Sequence, residues 1–173
     1  MYLDKIIAIV SFTIPSIITG LIAYFFFLKH TSVEEKRIKI SLLKENKKHS
    51  LPQKLQAYER MTLFLERMNP SKLLIRVTSV NNDKNAYIVS VVNTIEQELE
   101  HNLTQQIYVS DECWNVIIAA KNATIHLINM VANDATINTA EELREAIIKK
   151  VIEKGAPSSA ALIFVKNEVK DLL

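Results

Sequence analysis

Ile6 to Leu28 reads IIAIVSFTIPSIITGLIAYFFFL, 23 residues without a charged side chain. Rising about 1.5 Å per residue, a helix of that length matches the roughly 30 Å hydrocarbon core of a bilayer. The stretch is longer than a secretory apolar region. The preceding MYLDK carries little positive charge, and no A-x-A site follows Leu28, so it reads as a retained anchor rather than a cleaved leader. This divides the chain into a short extracytoplasmic N-terminus (1–5), a transmembrane helix (6–28), a basic helical connector (29–51) and an all-α cytoplasmic domain (52–173).

Charge supports the division and sets an expected orientation. From Lys29 to Lys54 there are eight basic and three acidic residues; from Leu55 onward there are twelve basic and fifteen acidic. The positive charge therefore lies just after the apolar stretch, with only Lys5 before it. Lysine and arginine stay on the cytoplasmic side, so the N-terminus is expected outside and the body inside. A mildly acidic body does not carry the basic footprint of a nucleic-acid-binding domain, and no nucleic-acid partner is expected.

Within the anchor, Thr13, Ser16, Gly20 and Ala23 recur at helical spacing and place small side chains on one face. Such a face lets two membrane helices approach closely, as in a homo-oligomer or with another membrane subunit. The simpler reading is a lipid-facing helix with incidental small residues. After the anchor, Ser32 with Glu35 forms a capping-box pattern and predicts a new helix running to about Lys48. Its Lys36, Arg37, Lys39, Lys44, Lys47 and Lys48 could contact anionic lipid, or serve only as a solvated spacer that fixes topology.

The rest of the chain predicts a bundle of five or six helices. The whole chain has only two glycines and four prolines, too few turn residues for an all-β body. Pro52 is expected to start a helix running to about Met68, with Ala57, Tyr58, Met61, Phe64, Leu65 and Met68 on one face. Residues 72–80 are ambiguous between helix and strand and are assigned a short helix. A clearer helix is expected from Ala86 to about Leu103. The next runs from Asp111 to about Ala132 behind a Ser110 cap and, being apolar on most sides, is expected at the centre. Thr139 and Glu142 form a second capping box, for a helix closed by Gly155. Ser158 or Ser159 is expected to cap the last helix, which presents Leu162, Val165, Val169 and Leu172.

Segments Leu55-Gln56-Ala57-Tyr58-Glu59-Arg60 and Leu65-Glu66-Arg67-Met68-Asn69-Pro70 resemble those of bacterial single-pass membrane proteins that carry a helical cytoplasmic domain of unknown function. That resemblance implies no activity and no catalytic residues.

Motifs for chemistry are sparse. No phosphate-cradling glycine loop, nucleophile elbow or zinc-ligand spacing is present, and no cofactor is expected. Cys113, His101, His126 and the group Glu96, Glu98 and Glu100 are the raw material for a site assembled only in space. Each also has a structural reading: a small buried thiol, a solvated acidic face beside His101, and a hydrogen-bonded core histidine at 126. The leading expectation is a non-catalytic, membrane-tethered adaptor or assembly subunit. A membrane-bound enzyme and an anionic-lipid-binding module are the alternatives.

Overall fold

The computed structural model describes residues 2–79 and 81–173; the side chains of 6–10, 31–32 and 46–47 lie outside the described set, as does Val80. The fold is all-α, with no strand among the described residues. The helices are α1 (Tyr2–Arg67), α2 (Pro70–Arg76), α3 (Lys84–Glu100), α4 (Asp111–Ala132), α5 (Ala140–Lys154) and α6 (Pro157–Leu172), with a short 3-10 turn at Leu103–Ile107. The chain forms two compact units, Met1–Ser50 and Leu51–Leu173.

The expected breaks at Ser32 and Pro52 do not occur: α1 is one helix of 66 residues. No glycine or proline stands between Gly20 and Pro52, and the intervening residues are mostly good helix formers. A Ser N-cap helps only where the backbone has left the helix. Carrying on through Pro52 forfeits one backbone bond, whereas breaking there would open four carbonyls and four N–H groups to new partners.

In the second unit the predicted face is buried throughout: Ala57, Tyr58, Met61, Phe64 and Leu65 of α1, and Met68 just past its end. Asn69 then caps α2, its side chain accepting from the Ser71 N–H at 3.1 Å. The ambiguous 72–80 segment is helical as far as Arg76 and turns extended at Val77. Helix α4 packs against α3, α5 and α6, as expected of a central helix. Its buried stripe is Cys113, Ile117, Ala120, Thr124, Ile128 and Ala132.

Several caps follow the sequence. The Ser110 hydroxyl accepts from the Cys113 N–H at 3.0 Å. The Thr139–Glu142 capping box is complete, and Gly155 closes α5 at φ 81°, where a Cβ would be strained. Three expectations fail locally. Helix α3 ends at Glu100, not Leu103, which starts the 3-10 turn and is exposed. Ala156, not a serine, precedes α6; Pro157 supplies the fixed φ of the first helical position, and Ser158 is buried inside the helix. His126 is exposed rather than in the core, because it lies two residues from both Thr124 and Ile128, on the far side of the helix.

A polar corner ties the body together. Asn82, at φ 53°, offers its backbone carbonyl to the Ala140 N–H and its side chain to the Glu141 N–H, both at 3.1 Å. Asp83 caps α3. The Lys84 ammonium donates to the carbonyls of Ala132 (3.1 Å) and Ile137 (2.7 Å), satisfying groups around the C-terminus of α4, where a cation also suits the helix dipole.

Candidate functional site

Two surfaces stand apart from the packed core. One is the apolar stretch of α1. Of its described part, Phe12, Ile14, Ile17, Ile18, Leu21, Ile22, Phe25, Phe26 and Phe27 are all at least half exposed, and no residue from 11 to 28 is buried. By length and composition this helix is able to cross a membrane. Its polar groups turn inward on the helix itself: the Ser16 hydroxyl donates to the Phe12 carbonyl at 3.1 Å and the Thr19 hydroxyl to the Pro15 carbonyl at 2.8 Å. Thr13, Ser16, Gly20 and Ala23 are exposed, and a Cβ placed on Gly20 would meet no atom within 4 Å.

The second surface is an apolar groove of about 440 Å³ on the body. Leu55, Tyr58, Glu59, Thr62, Leu63 and Glu66 of α1 line it together with Lys166 and Val169 of α6. Beneath it, Tyr58 and Cys113 lie against Glu168 of α6. Burial, reinforced by the Glu168 carboxylate, pushes the Tyr58 hydroxyl up to about 12 and the Cys113 thiol up to about 12. Glu168 Oε2 is buried and accepts no hydrogen bond among the described residues. Motif reasoning did not find this cluster, because its members come from three helices far apart in sequence.

The residues proposed as raw material for catalysis are not brought together. Cys113 is buried and held protonated, the wrong state for a nucleophile. Glu96 takes both its oxygens to the Lys121 ammonium, at 2.7 and 2.9 Å, joining α3 to α4. Glu98 pairs with Arg67 at 2.7 Å and Arg76 at 3.5 Å, joining α3 to α1 and α2. Glu100, His101 and His126 are exposed. No described cavity is lined by two of these residues, and no group of three His, Cys, Asp or Glu suited to a metal occurs among the described residues.

The basic connector is different in kind. Lys36, Arg37, Lys39, Lys44 and Lys48 are exposed and make no ion pair among the described residues. The side chain of Lys47 lies outside the described set.

A long N-terminal helix with an unburied apolar stretch, leading into a compact helical bundle, defines the class of protein. The chain belongs to a family of unknown function (DUF7935), whose model matches residues 4–172, the apolar stretch and the bundle together. No curated protein and no solved structure matches it.

Proposed function

We propose that this protein is a single-pass, membrane-tethered adaptor or assembly subunit, with its N-terminus outside and its body in the cytoplasm. One observation carries the reading: residues 11–28 hold a run of large apolar side chains that the protein itself does not cover. Each such side chain gains about 1.5–3 kcal/mol on leaving water, and a patch of this extent is far larger than a soluble monomer tolerates. A bilayer covers it, and the hydroxyls of Ser16 and Thr19, already bonded to the helix backbone, do not oppose insertion. The lysines that follow support the orientation.

The adaptor part rests on the body: charged side chains there serve to join helices, and the shielded thiol is unsuited to chemistry. Partners are the lipid bilayer and either a second copy or other membrane subunits, met through the body or through Thr13, Ser16, Gly20 and Ala23.

Alkaline carbonate extraction of membranes carrying the full-length protein tests the anchor; it should remain with the lipid pellet. Release into the supernatant would sink the membrane reading. Mild-detergent purification with mass determination tests the adaptor part. A defined complex is expected, and a clean monomer would count against it. Ser16→Leu with Gly20→Leu should weaken association within the membrane; an unchanged oligomer would remove that face from the account.

A further inference from the structure

Because the helix is continuous through residues 28–48, the angular positions of the connector residues follow from the helix period. At about 100° per residue, Lys36, Arg37, Lys39, Lys44 and Lys48 fall within one half of the helix surface, around Val33, Ile40 and Leu43. All three acids of the segment, Glu34, Glu35 and Glu45, fall in the other half. Every one of these side chains is exposed. Lys36 and Lys39 are three residues apart and Lys44 and Lys48 four apart, so neighbours on this face repel one another. In the body, Arg67, Arg76, Lys72, Lys121 and Arg144 are each paired with a glutamate, although other body lysines are not. This face therefore interleaves Val33, Ile40 and Leu43 with Lys36, Arg37 and Lys44, has Lys39 and Lys48 at its edges towards Glu35 and Glu45, and shows no ion pair to these cations among the described residues.

We infer that this face of residues 33–48 is a docking surface for an acidic amphipathic helix of a protein partner, its apolar side set on Val33, Ile40 and Leu43 and its carboxylates on the interleaved lysines and arginine. Charge complementarity selects this occupant. A second copy offering the same face would set lysine against lysine. The inference deepens the adaptor reading and rests on it for the position of the bilayer. On that reading Lys36, Arg37 and Lys39, about 12–17 Å along the helix from Leu28, stand close to the headgroups, whereas Lys44 and Lys48, at about 24 and 30 Å, lie beyond a screening length of about 8 Å from the leaflet and need another partner. A helix lying flat on the leaflet would need the break near Ser32 that α1 does not have.

The test uses full-length protein in nanodiscs and a fluorescent 21-residue helical peptide with a leucine seam flanked by glutamates. A scrambled peptide of identical composition is the control. Binding by anisotropy should be about tenfold or more tighter for the patterned peptide, should weaken with salt, and should drop about tenfold in the Lys36→Glu/Lys39→Glu/Lys44→Glu variant. The milder Lys→Gln triple variant should fall between, and Glu34→Gln/Glu45→Gln should bind at least as tightly as the parent. Equal binding of the scrambled peptide would overturn the inference, because it would reveal an unspecific polycation. So would loss of peptide binding when phosphatidylserine is added to the disc, which would assign the lysines to lipid. Carbonate extraction reports the anchor separately, so failure of the face and failure of the tether are distinguishable.

Discussion

Cys113 is the sole cysteine of the chain, so its reactivity can be read without ambiguity. Burial, with the Glu168 carboxylate adding to it, raises the thiol from its ordinary 9.0 to about 12. At pH 8 the thiolate fraction thus falls from about one in ten to about one in ten thousand, a loss of roughly a thousandfold before access is considered. The residue is fully buried, so a bulky aromatic disulfide reagent reaches it only when the start of α4 opens. In native protein at pH 8, modification should be at least about a thousandfold slower than in the same protein unfolded in urea. Glu168→Gln removes the carboxylate but leaves the burial, which is the larger cause. It should speed the native reaction by less than that full factor. A native rate within tenfold of the unfolded rate would refute this account and would reopen the reading of Cys113 as a nucleophile.

The same protonations make the fold sensitive to base. Cys113, Tyr58 and Tyr87 all hold their protons more tightly folded than unfolded, burial being the first cause in each. Their contribution to stability is complete below about pH 9 and is lost as pH rises toward 12. Thermal midpoints should decline steadily from pH 9 to 11, and a flat profile would contradict the burial of these groups. Tyr87→Phe removes the hydroxyl that donates to the Val77 carbonyl at 2.9 Å; it should cost about 1 kcal/mol by urea unfolding, and no change would mean the bond contributes nothing. Thr139→Ala dismantles the capping box of α5 and should cost about 0.5–2 kcal/mol in the same assay.

What the sequence reveals depends on how locally each feature is encoded. The buried face of α1 beyond Ala57 follows from 3.6-residue periodicity alone, and the caps at Ser110, Thr139 and Gly155 follow from single residue types with one conformational purpose. Helix α4 shows where periodicity stops helping. Being apolar on most sides, it does not reveal its inward stripe; its composition suggests a core position for His126, whereas the position of that residue relative to Thr124 and Ile128 puts it outside. Tyr87 lies four and eight residues before Val91 and Ile95 on the buried face of α3, so periodicity alone points to its ring, while the partner of its hydroxyl, at the end of α2, is not readable from spacing. The Tyr58–Cys113–Glu168 cluster, the carbonyls gathered by Lys84 and the groove between α1 and α6 all require tertiary neighbours, and no spacing rule carries that information.

The misplaced breaks at Ser32 and Pro52 teach more than the others. Both signals mark where a helix can begin, and neither obliges the preceding helix to end. The end must be enforced by a residue that prefers another conformation or by packing that rewards a turn. Between Gly20 and Pro52 there is no such residue, and residues 33–45 bury nothing that would reward one. Every buried side chain among the described residues lies at Ala57 or beyond, while the apolar run of 11–28 is wholly uncovered. One helix therefore carries two unrelated burial requirements: its last turns are satisfied by the bundle, and its first turns must be satisfied from outside the chain. Among the described residues the apolar run buries no side chain, so hydropathy there is not explained by a core. That asymmetry supports a tether more strongly than hydropathy does alone, because an apolar stretch of the same length serving a core would be found inside one.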